Sequence, residues 1–198
     1  MGGAQVLDRR QLILDRAGEL FARKGVAPTT VREIGDAVGI LSGSLYHHFD
    51  SKEAIAEEIV NAYVDDLLDR YRRVRARFGG DPARCLAGLM RASFQSLHAH
   101  PDACAIYQND FQYLCSLPAF GVTKRRCRQV QDAWMAVLCD GASRGVFRTD
   151  IDPWIFDHLV RDAITGAARW YRREGPCDAE TIADAYAGIL LGGYLAAA

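Results

Sequence analysis

The chain has 198 residues, 49% of them hydrophobic, and a formal net charge of −1. That length and apolar content fit a folded protein with a sizeable core and exclude a disordered or fibrous chain. The near-zero charge excludes a protein that holds nucleic acid by bulk positive charge alone. Over residues 1–53 every arginine or lysine is matched by an aspartate or glutamate, so any nucleic-acid contact there must rest on a motif.

The opening MGGAQVLDRRQ has no apolar signal region, and no stretch approaches the run of apolar residues a membrane helix needs. Neither export nor a membrane span is expected. Cys85, Cys104, Cys115, Cys127, Cys139 and Cys177 stand singly, without CxxC pairing or a close histidine. They read as small core residues of a reduced, cytoplasmic protein with no metal site.

Helical periodicity accounts for the rest, and no strand alternation of useful length is present. A first helix is expected over 8–24, capped by Asp8, with Ile13, Ala17, Leu20 and Phe21 on one face and Gly25 as its stop. A second begins at Thr30, whose spacing to Glu33 makes a capping box; Val31, Ile34 and Val38 face inward and Gly39 ends it. A third runs from Leu41 or Ser42 to about Phe49, and a fourth from Ser51 to about Phe78. Gly79-Gly80-Asp81-Pro82 is the clearest break. Further helices are expected over 82–99, 101–115, 119–144, 152–172 and 178–197. The expected class is all-α, with nine helices: a three-helix helix-turn-helix domain over 1–53 and a larger helical domain over 54–198.

Two short helices joined through Gly39 and backed by a longer one make a helix-turn-helix reader. Within Leu41–Phe49, residues Leu45, His48 and Phe49 return at helical spacing and pack inward. Ser42, Gly43, Ser44, Tyr46 and His47 are left facing out. The serines offer short donors or acceptors, Gly43 lets the backbone come close, Tyr46 offers a hydroxyl to a phosphate and His47 reaches a base edge. Thr30 and Lys52 are expected to hold phosphates, and Arg32 a phosphate or groove edge.

Thr30–Glu53, with Gly43, Leu45-Tyr46-His47, Phe49 and Lys52-Glu53 in order, resembles the signature of the TetR family of bacterial one-component regulators. Leu41 departs from it, standing where many members carry a serine cap; an apolar side chain there suits a thymine methyl. The resemblance implies a homodimer on a palindromic double-stranded operator, usually repressing, and released by a small molecule bound in the C-terminal body.

In that body, aromatic and polar residues mingle: Tyr107, Gln108, Phe111, Tyr113, Trp134, Phe156, Arg161, Thr165, Arg169 and Trp170. An apolar cavity with a few fixed polar groups is how small molecules are held, although ordinary core explains the aromatics equally. Arg161, within an apolar run, needs an anionic partner. The last two helices carry small residues on apolar faces. In the family they build the dimer seam, which here implies Gly166, Trp170, Ala187, Leu191 and Tyr194.

Gly39–Phe49, Ile106-Tyr107-Gln108, Val160-Arg161-Asp162 and Arg169-Trp170-Tyr171-Arg172 are also similar to a subgroup, the repressors of steroid ring degradation in the ketosteroid regulon. Their ligands are coenzyme A thioesters. The arginine-rich stretches 70–77 and 124–128 suit the phosphates of such a ligand, or are solvated helix faces. A fatty-acyl thioester, or an apolar or aromatic compound such as a drug, fits the same pocket. No nucleophile, paired-carboxylate or metal spacing stands out around His47, His48, His98, His100 or His158, so neither enzyme activity nor a cofactor is expected. A DNA-binding protein without a ligand would not need so large a body.

Overall fold

The computed structural model describes residues 2–117 and 120–195, with side chains from residue 9 onward. Among these, every regular element is a helix: α1 (Gly2–Lys24), α2 (Val31–Val38), α3 (Ser42–Leu45), α4 (Lys52–Phe78), α5 (Pro82–Ala99), α6 (Pro101–Asn109), α7 (Phe111–Ser116), α8 (Gly121–Ser143), α9 (Pro153–Ala167) and α10 (Ala179–Tyr194).

There are ten described helices where the sequence pattern gives nine, because the segment expected over 101–115 breaks at Asp110. That residue has φ −108° and ψ 1°. Its carboxylate turns away to accept a hydrogen bond from the Val26 N–H at 3.0 Å. α1 starts at Gly2, so Asp8 lies inside the helix rather than at its cap. The end of α9 also differs. Past Ala167 the N–H groups of Ala168, Arg169 and Trp170 bond three residues back, a tightening turn that takes Arg169 and Trp170 out of the helix. The expected break at Pro118 and the last residues of the final segment lie outside the described residues.

The helix starts follow the sequence signals. Thr30 caps α2, the Ser51 hydroxyl accepts from the Ala54 N–H at 3.0 Å, Asp81 caps α5 with Pro82 at its first position, and Asp152 and Asp178 cap α9 and α10. Val38 gives way to Gly39 at φ 74°, the left-handed stop that turns the chain into α3.

The chain divides into two compact units, Met1–Tyr63 with Asp102–Lys124, and Val64–Pro101 with Arg125–Ala198. The first is built on Ile13, Phe21, Ile34, Leu45, Phe49, Ile55, Ile106 and Phe120, all buried. The second is built on Leu86, Leu89, Phe94, Trp134, Val160 and Ile164, with Tyr194 stacked on Phe156 and Phe147.

Cys85, Cys104 and Cys127 are buried as expected, Cys115 is half-buried, and Cys139 and Cys177 are exposed. All six are free. No described helix is long and apolar enough to cross a membrane, and no described group of side chains can hold a metal ion.

Candidate nucleic-acid interface and effector-binding residues

α2 and α3 form a bihelical turn whose inner side is closed. Ile34, Gly35 and Val38 of α2 and Leu45 of α3 are buried. Gly35 is required by a close approach: a Cβ there would lie 2.9 Å from the Ile40 carbonyl oxygen. Phe49 closes the far end under the Arg10 guanidinium, 4.4 Å from the ring centroid, and Arg10 is held in turn by Glu58.

α3 itself is a single turn of four residues, shorter than the reader expected to run to Phe49. Tyr46, His47 and His48 continue as hydrogen-bonded turns, with His47 N–H on the Ser44 carbonyl and His48 N–H on that of Leu45. The expected outward set is exposed only in part, and His48, expected to pack inward, is half-buried. Leu41 is 81% exposed, Gly43, Tyr46 and His47 are exposed, and Ser42 and Ser44 are half-buried. Leu41 sits at the N-cap and supplies no capping bond. Gly43 has no positive φ, and a Cβ on it would meet nothing within 4 Å. Nothing inside the folded chain therefore demands glycine at 43; only something outside it can.

Two of the expected phosphate contacts are committed internally. The Lys52 ammonium donates to the carbonyls of Val26, Ala27 and Thr29 at 2.8, 2.7 and 2.7 Å. An ammonium has three N–H bonds, and all three are spent. Lys52 is thus a clamp on the loop between α1 and α2 rather than a free phosphate ligand. Thr30 closes the capping box: its hydroxyl accepts from the Glu33 N–H and donates to the Glu33 carboxylate, which also accepts the Thr30 N–H. Lys24 pairs with the same carboxylate, and together these contacts pull Glu33 down to a pKa of about 2. Arg32 is the cation left available. It is exposed and holds Asp36 only loosely, at 3.9 Å.

The Lys52-clamped loop has a second anchor, Asp110 at the α6–α7 break. Asp110 is buried, and its other carboxylate oxygen has no partner. The Thr29 hydroxyl donates to the Gly25 carbonyl at 2.7 Å and completes the loop. Sequence reasoning missed Asp110, whose partner lies far away in the chain.

The expected effector residues fall into both compact units. In the first, Tyr107 packs its ring against Tyr63 and Phe111 at centroid distances of 5.8 and 5.0 Å, and Gln108 donates to the Cys104 sulfur. The second unit holds Trp134, Arg161, Thr165 and Arg169. Trp134 is fully buried and belongs to a directed chain of hydrogen bonds. Its Nε1–H donates to the Tyr71 hydroxyl at 2.9 Å, Tyr71 donates to Ser93 Oγ at 2.6 Å, and Ser93 donates to the Leu89 carbonyl. Every donor in that chain is used, so Trp134 is core. Burial pushes the Tyr71 hydroxyl up to about 12. Thr165 spends its hydroxyl on the Arg161 carbonyl one turn back. Arg169 is exposed in the turn after α9, and Arg161 is half-buried.

The arginine-rich end of α4 and the facing part of α8 border a groove of about 610 Å³ over Leu68, Tyr71, Arg72, Arg75, Gln129, Asp132, Ala133 and Ala136. Several of these arginines are already paired: Arg70 with Asp66, Arg72 with Asp69 and Arg126 with Asp65.

The expected dimer residues separate. Ala187 and Tyr194 are buried within the protomer and present nothing to a second copy. Tyr194 instead lies 3.6 Å, centroid to centroid, from Phe156. Gly166 and Leu191 are half-buried and Trp170 is exposed. Beside them α9 exposes Trp154, Ile155 and Leu159, and α10 exposes Gly188, Ile189 and Gly192.

A bihelical turn with a sealed inner face and an outward face shaped by nothing inside the chain defines a helix-turn-helix DNA-binding regulator. Residues 13–59 match the bacterial regulatory proteins of the tetR family, and residues 79–194 match the tetracyclin repressor-like C-terminal domain. The chain belongs to the TetR family and is a transcriptional regulator, not an enzyme. It is 42% identical over 185 residues to the HTH-type transcriptional repressor KstR2 of Rhodococcus jostii, covering 93% of this chain and 90% of that one. The solved structure of the ketosteroid transcriptional regulator KstR2 of Mycobacterium tuberculosis superimposes with a TM-score of 0.88 at 39% identity, covering 96% of each chain. AibR in complex with isovaleryl coenzyme A and operator DNA shares the fold, with a TM-score of 0.77 at 22% identity over 92% of this chain and 98% of that one.

Proposed function

We propose that the protein is a ligand-responsive repressor that binds a palindromic operator as a homodimer and leaves it when a small molecule enters the helical body. It works in the cytoplasm, where its operator lies. Residues 1–53 are the reading domain, and 54–198 bind the effector and the second protomer. The observation that carries the reading is the outward face of α3. Leu41, Ser42, Gly43, Ser44, Tyr46 and His47 stand on a turn that is rigid from behind, and the open space at Gly43 leaves room for a groove wall. Arg32 supplies a backbone phosphate contact beside them.

Dimerisation uses the exposed apolar stripe of α9 and α10, where Ile155, Leu159 and Ile189 would otherwise face water. Gly166, Gly188 and Gly192 let the helices of two copies approach closely. Two readers then meet successive major grooves about 34–36 Å apart.

The effector is an acyl-coenzyme A thioester from the degradation of a steroid or fatty acid. Two relations support this. The similarity to proteins named KstR2 spans most of the chain. The expected effector residues include an aromatic wall in the first unit, Tyr107 and Phe111; in the second unit Arg169 is exposed and Arg161 holds Asp157 only loosely, at 3.9 Å. Fluorescence anisotropy with labelled promoter-proximal DNA tests both parts. The dimer binds a palindrome upstream of its own or an adjacent gene, and an acyl-coenzyme A thioester releases it. No binding at low salt would sink the repressor reading. Release by a free acid or a drug, and not by any thioester, would sink the coenzyme A assignment alone.

A further inference from the structure

α9 carries a carboxylate that the fold leaves unsatisfied. Asp157 is 0% exposed, and neither of its carboxylate oxygens has a hydrogen-bond partner. Burying a carboxylate without partners is among the most costly arrangements a chain can adopt, and native proteins keep few such groups without a use for them.

The nearest cations do not relieve it. Arg161 Nε, one turn on, lies 3.9 Å from Oδ2, beyond hydrogen-bond reach. His158 Nδ1 is also 3.9 Å away and donates instead to the Trp154 carbonyl at 2.8 Å. The neighbouring polar chain of Trp134, Tyr71 and Ser93 uses its donors on itself. Burial holds the Asp157 carboxyl above the ordinary carboxylate range despite the pull of Arg161 and His158. The Arg161 guanidinium makes no hydrogen bond to a described residue. An acceptor without donors and a donor without acceptors thus stand side by side, too far apart to satisfy each other.

We infer that Asp157 is an effector-binding residue that accepts a hydrogen bond from an uncharged donor of the ligand, an amide N–H or a hydroxyl, while Arg161 donates to an adjacent acceptor oxygen of the same ligand. A hydroxyl presents donor and acceptor on one oxygen; a trans secondary amide presents its N–H to Asp157 while its carbonyl points the opposite way. A free carboxylic acid, ionised at neutral pH, would bring a second negative charge to Asp157 and is disfavoured. The inference rests on the effector reading above and narrows it: the amide-bearing arm of a coenzyme A thioester, not only its acyl group or phosphates, is read by α9.

The test is calorimetric titration of the full-length dimer with octanoyl-coenzyme A and with pantetheine, which keeps the amides and lacks the phosphates. Asp157→Leu, of similar volume, lowers affinity for both probes at least tenfold. Asp157→Asn keeps one acceptor oxygen and loses less; it carries the comparison if the leucine variant does not fold. Equal binding by wild type and Asp157→Leu overturns the inference and leaves the thioester reading intact. If octanoyl-coenzyme A does not bind the wild-type protein, the thioester reading fails and the melting temperature of the unliganded variants decides. A rise of roughly 2–8 °C in Asp157→Leu marks a carboxylate kept against stability for a ligand's sake. A fall marks a structural carboxylate and overturns the inference.

Discussion

Asp110 Oδ1 accepts a hydrogen bond from the Val26 N–H at 3.0 Å, between residues 84 positions apart. Asp110 stands where α6 gives way to α7, next to Tyr107, Gln108 and Phe111. Val26 stands in the loop that sets the entry of α2 and hence of the reader. The same loop is gripped through its carbonyls by Lys52. A shift of the α6–α7 break therefore acts directly on the reader's base. Asp110→Ala leaves the buried Val26 N–H unpaired, a loss of about 1–3 kcal/mol. Asp110→Asn keeps an acceptor. Melting curves and operator titrations of the two variants should separate, with the alanine variant less stable and the ratio of operator affinities without and with effector reduced. Identical behaviour of Asp110→Ala and wild type would refute the link.

Arg32 and Lys52 differ in a way that salt titration reads out. Each phosphate contact contributes close to one unit to the slope of log affinity against log salt. Arg32→Ala should lower that slope by about one with little effect on stability, because its pairing with Asp36 is loose and exposed. Lys52→Met should leave the slope alone and destabilise the protein by about 1–3 kcal/mol, since three carbonyls lose their donor. A slope change in Lys52→Met equal to that of Arg32→Ala would restore Lys52 as a phosphate ligand.

What the sequence made legible is what local chemistry decides. The Thr30–Glu33 box, the Gly39 stop, the inward Ile34, Val38 and Leu45, and the caps at Asp81 and Asp178 all follow from neighbours within a few residues. The illegible parts depend on distant partners. The chain from 101 to 115 has no glycine or proline after Pro101, so nothing local announces the break at Asp110; Val26 does. Lys52 beside a reading motif suggests phosphate until its three carbonyl partners are seen. Tyr194 follows small residues that suggest a dimer face, yet Phe156 and Phe147 hold it inside. Asp157 is illegible in the sequence because burial, not residue type, makes it unusual.

Ile189 is 75% exposed on α10, and Leu159 is exposed on α9. Leu159→Asp with Ile189→Asp should convert the dimer to a monomer in sedimentation velocity without lowering the melting temperature of the protomer. Operator affinity should fall more than tenfold, since one reader then carries the load of two. A double variant that still sediments as a dimer would place the interface elsewhere.

Glu33 supplies a pH-dependent element of the reader. Its pKa is lowered from 4.5 to about 2, first by Lys24 and then by the Thr30 N–H and hydroxyl. The folded state therefore favours the ionised form, and the stability this brings is present above about pH 4.5 and lost as pH falls toward 2. Melting temperature measured down through that window should drop less steeply in Glu33→Gln than in wild type. Parallel curves would mean that the box contributes nothing at acid pH.

Gly43 gives the sharpest separation of folding from reading. Its backbone is not left-handed and its Cβ position is open, so Gly43→Ala places a methyl where the chain has room. Replacing a helical glycine by alanine stabilises by about 0.5–1 kcal/mol through reduced freedom of the unfolded chain. The same methyl would stand between the α3 backbone and a groove wall. Gly43→Ala should thus melt at a higher temperature and bind the operator at least tenfold more weakly. A variant that is more stable and binds as well as wild type would show that the groove does not come close at Gly43, and that DNA is read chiefly through Leu41, Tyr46 and His47.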